Sequence, residues 1–304
     1  MHNGLKANIV IATYNRSALL AETLSSLENH LIDRSEVNVI VVNNNSIDNT
    51  QEVSESFISK ISTLMCLQEF RQGLSYARNH GIHSSTGDIV VFLDDDVELH
   101  ENWLDELLAP FNDPNVAVVG GKVLPYGMQE FPDWLPREYG FLASVFDPSD
   151  KLCEMDKVMG ANFAVRKSAF DNVGLFDVNL GRKGKKLLGG EEVELFHRIR
   201  NAGLKIVYTP HSVVWHKISE KLKREYIEDY AYWLGVSEAL IDKTVVSRTK
   251  YILKVIRSLF FPWSVYPLQR LASGNDSART MRFVIKRNYA RGYLTHAQEL
   301  MDAA

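Results

Sequence analysis

Over its first 120 residues the chain alternates between two hydrophobic periods, and this restricts the fold more than any other feature. "ANIVIAT" (7–13), "VNVIVVNN" (37–44), "TLMCLQ" (63–68), "GDIVVFLD" (87–94) and "NVAVVGGKV" (115–123) are short apolar runs of strand type. Between the first two, "RSALLAETLSSLENHL" (16–31) spaces Leu19, Leu20, Leu24, Leu27 and Leu31 as a helix does. "SIDNTQEVSESFISKI" opens on Ser, Asp and Asn as capping candidates and then carries Val53, Phe57 and Ile61 at i, i+4 and i+8. "GLSYARNHGIHSS" (73–85) and "ENWLDELLAPF" (101–111) read as two further helices. Apolar strands separated by helices indicate a sheet buried on both faces and wound in the βαβ manner. The expected fold class is α/β, with a Rossmann-like, mostly parallel sheet flanked by helices. Right-handed crossovers then bring the strand C-terminal ends to one edge, where ligands bind.

The unusual residues fall on that edge. Thr13, Tyr14 and Asn15 follow the first strand, Asn43, Asn44, Asn45 and Ser46 the second, and Asp94, Asp95 and Asp96 the fourth. Three adjacent carboxylates at the end of a buried strand repel one another and need compensation. The triplet has three readings. One is a surface turn with helix-capping acids. Another is the nucleophile loop of a haloacid-dehalogenase-like phosphatase, which should carry Thr or Val two residues after its second Asp, where Glu98 stands. The third is a hard divalent cation, Mg²⁺ or Mn²⁺, bridging carboxylate to a diphosphate.

Beyond the fifth strand the pattern breaks. "PYGMQEFPDWLPREYGF", rich in Pro, Gly and aromatics, reads as a long loop or lid. "KVMGANFAVRKSAF" (157–170) restores a strand and a helix start, and a glycine-rich basic loop, "GRKGKKLLGG", leads into the helix "EEVELFHRIRNAG" and the strand "KIVYT". After residue 219 the chain reads as almost entirely helical. The expected organisation is a domain over 1–218 and a helical, basic C-terminal extension over 219–304.

"IVIATYNRSALLAETLSSL", "VIVVNNNSIDNT", "GLSYARNHGI", "GDIVVFLDDDVEL", "MGANFAVRKSAF" and "GGEEVELFHRIRNAGLKIVYTPHSVVWH", in that order, resemble the family-2 inverting glycosyltransferases that use nucleotide-diphospho-sugars. The resemblance implies the type A nucleotide-diphospho-sugar transferase fold and assigns roles. Thr13, Tyr14, Asn15, Asn43, Asn45, Arg78, Asp94 and Asp95 would meet the donor; Asp96 and His216 would hold the cation. Relatives usually begin the second cluster with Asp, and here Asn43 can both donate and accept at a base edge without charge. The base that takes the acceptor proton would come from the acidic pair opening a helix. The usual Asp of that pair is Glu192 here, and Glu191 is the alternative. Gly160, Ala161 and Asn162 would line the acceptor pocket, and Trp134 in the lid would stack on a sugar ring. Each has a plainer reading: a surface salt bridge for Arg78, a satisfied polar residue for His216, helix-dipole acids for Glu191 and Glu192, a core cover for Trp134. No QxxRW motif follows the acidic pair, so a single addition is expected rather than processive synthesis. The implied reaction is inverting, metal-dependent transfer of one sugar to a hydroxyl of a saccharide or lipid-linked acceptor, in cell-surface polysaccharide or glycan synthesis. A non-catalytic nucleotide-sugar-binding or scaffold protein on the same fold is the alternative. A sugar-nucleotide pyrophosphorylase is not, because "ATYNRSALL" lacks the glycine-rich loop such enzymes carry after the first strand.

Charge adds a statement about partners. The net charge of −4 hides eleven Lys/Arg against one acid over 243–291, so that segment is near +10 and the remainder near −14. Tyr251–Ile252, Val255–Ile256 and Leu259–Phe260 recur at helical spacing among Arg248, Lys250, Lys254 and Arg257, ahead of a Phe-Phe-Pro-Trp tip. This fits a helix lying on an anionic membrane surface, or a helical appendage that packs on the catalytic domain or forms a homodimer. No nucleic-acid-binding motif accompanies the charge. Only Cys66 and Cys153 occur, with no CxxC or Cys/His cluster, and no run of 18 apolar residues exists. The expected location is cytoplasmic, or peripheral on the inner face of the plasma membrane.

Overall fold

The computed structural model describes residues 4–32, 34–127, 131–246, 249–258 and 277–302. They divide into two compact units. The first comprises 1–126, 144–179 and 191–217; the second comprises 127–143, 180–190 and 218–304.

The first unit is built on a nine-stranded sheet. Its strands are β1 (Ala7–Thr13), β2 (Val37–Asn43), β3 (Leu64–Gln68), β4 (Ile89–Leu93), β5 (Val97–Leu99), β6 (Val116–Pro125), β7 (Cys153–Glu154), β8 (Asn162–Arg166) and β9 (Lys205–His216). They run in the order β3-β2-β1-β4-β8-β6-β9-β5, with β7 paired to β9. Helices α1 (Ser17–His30), α2 (Thr50–Ser56), α3 (Leu74–Ser84), α4 (Trp103–Leu108), α5 (Lys167–Val173) and α6 (Glu191–Asn201) flank it. The apolar runs are continuous because both sheet faces are covered. Ile9, Ile11, Val39, Val41, Val91 and Leu93 pack on one side with Leu20, Leu24 and Leu27 of α1. The alternating residues Val10, Ile40, Val42, Val90 and Phe92 pack on the other with Ala77 and Ile82 of α3.

The ladders β1–β2, β2–β3 and β1–β4 are parallel, as expected from the βαβ pattern. Their register sets Thr13 beside Asn43 at the C-terminal edge. The rest of the sheet is mixed. β8 runs antiparallel to both β4 and β6, and its register sets Asn162 opposite Leu93. β9 is parallel to β6, but their register jumps after Gly121–Thr209 to Lys122–Val213. The skipped residues, Pro210, His211 and Ser212, form an irregularity where a proline, lacking a ladder donor, is tolerated. Beyond it β9 continues to His216, seven residues past the strand "KIVYT", and pairs antiparallel with β5 so that His216 lies opposite Val97.

The second unit contains α7 (Arg224–Val245), a helix α8 over 249–258, and α9 (Ser277–Asp302). A Cβ on Gly235 would lie 2.0 Å from the Tyr289 carbonyl oxygen, and one on Gly292 1.9 Å from that of Tyr232, so α7 and α9 meet backbone to backbone. Tyr251 and Val255 of α8 pack against a buried cluster of Ala239, Tyr293 and Ala297. The Phe-Phe-Pro-Trp tip, Arg248 and Arg270 lie outside the described residues.

Candidate active site

The aspartate triplet forms the turn between β4 and β5. Asp94 keeps 32% of its side-chain surface, whereas Asp95 and Asp96 are buried. Compensation comes first from Arg16, just beyond β1. One guanidinium nitrogen lies 2.6 Å from Asp95 Oδ1 and the other 2.7 Å from Asp96 Oδ2. Thr13 Oγ1 donates to Asp95 Oδ2 at 2.7 Å. Burial still pushes the Asp95 carboxyl up to about 6, with Arg16 pulling the other way.

The second compensation is a constellation fit for a cation. His216 Nε2 lies 2.7 Å from Asp96 Oδ1 and 3.7 Å from Asp94 Oδ2. One ligand atom from each of Asp94, Asp96 and His216 lies within 4.8 Å of the other two. Two carboxylate oxygens and an imidazole nitrogen suit Mn²⁺ or Mg²⁺, with coordination positions left for phosphate oxygens. The residues present therefore fit the metal. Backbone bonds fix this set: Asp94 N–H donates to Ala161 O at 3.3 Å and Lys217 N–H to Asp96 O at 2.9 Å.

Arg78 joins the triplet to the acidic pair. It is buried on α3 among Phe92, Phe163 and Phe176, whose ring centroids lie 5.6–5.8 Å from its guanidinium carbon. One nitrogen bonds Glu191 Oε1 at 2.8 Å and lies 3.3 Å from Glu192 Oε1. The other donates to Gly160 O at 3.1 Å and lies 3.8 Å from Asp94 Oδ1. This is not a surface salt bridge. Glu191 is buried, and desolvation, reinforced by Glu192, pushes its carboxyl up to about 8 against the pull of Arg78. Glu192 keeps 18% of its side-chain surface.

Gly160 bears directly on Glu192. A Cβ there would lie 1.8 Å from Glu192 Oε1, so only glycine leaves the carboxylate in place. That oxygen is the end of a flexible side chain, and Gly160→Ala should displace it without unfolding the sheet. The expected result is a fall in kcat with a near-unchanged melting temperature and donor KM, measured by steady-state kinetics and calorimetry.

The loops after β1 and β2 interlock. Asn15 and Asn45 both adopt left-handed φ, 51° and 63°, which asparagine tolerates better than most residues. Asn15 Oδ1 accepts from Ile47 N–H at 2.8 Å, and Ser46 Oγ accepts from Asn15 N–H at 2.9 Å. Tyr14, next to Asn15, is half-buried. Asn43 is buried with both ends of its amide engaged, Oδ1 by Ser46 N–H at 3.0 Å and Nδ2 by Gln51 Oε1 at 2.9 Å. Asn44 clips the next loop through Glu69 O, Arg71 O and Gly73 N–H.

Thus Thr13, Arg78, Asp94, Asp95, Asp96, Gly160, Glu191, Glu192 and His216 form one connected cluster. Asn162 does not open into it. The side chain is fully buried, accepting from Trp103 Nε1 at 2.7 Å and donating to Ser212 O at 3.1 Å, and it ties β8 to α4 and the β9 irregularity. Ala161 is also buried. Trp134 belongs to the second unit, where the Arg224 guanidinium lies 4.9 Å from its ring centroid. Arg16 escaped sequence reading. The available signal was the triplet's own need for a nearby cation, and Arg16 is the first basic residue past the first strand.

Comparison with known proteins gives the family. A glucosyl-dolichyl phosphate glucuronosyltransferase of Haloferax volcanii is 27% identical over 287 residues, covering 92% of this chain and 91% of that protein. A GalNAc(5)-diNAcBac-PP-undecaprenol beta-1,3-glucosyltransferase of Campylobacter jejuni is 30% identical over 117 residues, covering 38% of this chain and 37% of its own. The fold matches the mannosyltransferase PcManGT of Pyrobaculum calidifontis, solved with GDP-Man and Mn²⁺, at a TM-score of 0.70 and 17% identity over 99% of this chain and 88% of that one. The profile of Glycosyl transferase family 2 matches residues 8–174, more than half of the 304 residues, so the chain belongs to glycosyl transferase family 2 and is a glycosyltransferase.

Proposed function

We propose that the protein transfers one sugar, with inversion, from a nucleoside-diphosphate-sugar to a hydroxyl of a lipid-linked saccharide, using a divalent cation. The observation that carries the reading is Arg78. Its guanidinium touches Glu192 on one side and approaches Asp94 on the other, so a base and the diphosphate-facing carboxylates stand one side chain apart. Glu192 takes the proton of the acceptor hydroxyl as its oxygen bonds to the anomeric carbon, and the bond to the diphosphate breaks with its electron pair leaving on the nucleoside diphosphate. Glu191 is the poorer candidate for this role: it is buried, Arg78 engages its Oε1 at 2.8 Å, and burial with Glu192 beside it raises its carboxyl. It orients Arg78 instead. Asp94, Asp96 and His216 would hold a Mn²⁺ or Mg²⁺, which would supply positive charge against the departing diphosphate. Arg16 fixes Asp95 and Asp96, and the interlocked loops of Asn15, Asn43 and Asn45 form the nucleotide end of the site. The Asn43 amide braces that loop through Ser46 N–H and Gln51 Oε1.

The lipid-linked acceptor rests on the relatives, whose names specify dolichyl phosphate and undecaprenol carriers. It suits a role in cell-surface glycan synthesis at the cytoplasmic face of the membrane. The test is a panel of UDP-, GDP- and dTDP-sugars with Mn²⁺ or Mg²⁺, read by thermal shift, followed by transfer to polyprenyl-phosphate-linked saccharides. One donor should stabilise the protein only with metal present, and its product should carry the inverted anomer by NMR. A retained anomer, or donor binding without transfer to any hydroxyl acceptor, overturns the reading.

A further inference from the structure

We infer that the outer face of α8 is a docking surface for an anionic lipid bilayer. The helix has two unlike faces. Tyr251 and Val255 turn inward, and Lys254 goes with them: its Nζ lies 2.7 and 2.8 Å from the two Asp242 oxygens and 3.1 Å from Glu238 Oε1. The opposite face carries Ile252, Leu253 and Ile256, exposed to 46%, 59% and 45%. Spaced i, i+1 and i+4, they form one apolar stripe, flanked by exposed Lys250 and Arg257. The sequence paired Ile252 with Tyr251 and Ile256 with Val255; the structure separates each pair across the helix.

Charge decides between occupants. The segment 243–291 is near +10. Some of that charge is paired within the chain: Lys254 with Asp242 and Glu238, and Arg282, whose Nε lies 2.6 Å from Glu138 Oε1. Lys243, Lys250, Arg257, Arg279, Lys286, Arg287 and Arg291 are solvent-exposed. A second copy of this chain on a two-fold axis would set Lys250 and Arg257 against their own equivalents. Three side chains also fall well short of the roughly 800 Å² per partner that a stable interface buries. An anionic bilayer instead complements the charge and takes up the apolar stripe at headgroup depth. No helix among the described residues is long and apolar enough to cross a membrane, so the contact is interfacial. This inference stands independently of the sugar chemistry.

The experiment is sedimentation of the full chain with phosphatidylcholine vesicles, with and without phosphatidylglycerol, at low and high salt. The expected result is binding to the phosphatidylglycerol vesicles at low salt and release at high salt. The triple variant I252E/L253E/I256E should lose binding, and Arg257→Glu alone should weaken it by about 30-fold, twice one charge's share in free energy because the sign reverses. Both substitute exposed positions, and unchanged transfer to a water-soluble acceptor checks that the site is intact. Absence of binding at low salt, wild-type binding by both variants, or a halved mass of the triple variant in light scattering overturns the proposal; the last would assign the face to a second copy.

Discussion

Replacing Glu192 by Gln should lower transfer by about 10²–10⁴-fold, the contribution of a positioned general base. Donor affinity should hardly change. Gln keeps an oxygen where Glu192 Oε1 faces Arg78 at 3.3 Å, and Glu191 still anchors that guanidinium at 2.8 Å. The measurement is single-turnover transfer beside isothermal titration of the donor. Loss confined to the chemical step marks an interaction made in the transition state. Glu191→Gln serves as the contrast. Because burial already favours its protonated form, the neutral isostere should cost far less activity. Full activity in Glu192→Gln, with loss in Glu191→Gln, would move the base to Glu191.

Asp96→Ala should abolish metal-dependent donor binding, but it carries a structural cost as well. Asp96 is buried, its two oxygens facing His216 and Arg16. Removing one partner of a buried charge cluster costs about 3–5 kcal/mol; Arg16 is 37% exposed and recovers part of this through solvent. Asp96→Asn separates the two effects, because the amide fills the same volume and its oxygen still accepts. It should stay folded while binding metal at least about 100-fold more weakly, a carboxylate ligand mattering more than its outer-shell supports. Calorimetric titration with Mn²⁺, and donor thermal shifts with Mn²⁺ or EDTA, give the readout. Donor binding that is the same in EDTA and in both variants would remove the cation from the mechanism.

The expectations that held rest on short-range regularities. The short continuous apolar runs in "ANIVIAT", "VNVIVVNN" and "GDIVVFLD" marked strands whose alternate residues are buried on opposite faces. Strand, turn and helix order then forced the parallel β3-β2-β1-β4 ladder and brought Thr13, Asn43 and Asp94 to one edge. What did not show was direction and pairing beyond that ladder. "NFAVR" reads as a strand of either sense, and the structure inserts it antiparallel between β4 and β6. The end of β9 was hidden by Pro210, because a proline within a strand pattern normally ends it. Likewise the basic helix read as uniformly amphipathic, since nothing local reveals that Asp242 claims Lys254.

By itself, then, the sequence determined the α/β class, the ligand edge and the residue types that face it: a carboxylate triplet, a histidine after a strand and a glutamate pair at a helix start. The class, the edge and the triplet follow from periods and neighbours within about ten residues; the histidine and the glutamate pair come from the family resemblance. Only the tertiary structure decided how they divide the work. Arg16 meets Asp95 and Asp96 across 79 and 80 residues, His216 meets Asp96 across 120, and Arg78 meets Glu191 across 113. Contacts of that separation are set by sheet register and by the irregularity in β9, which no local pattern encodes. They are also what buries Glu191 and leaves Glu192 partly accessible, so that two adjacent acids become an anchor for Arg78 and a candidate base.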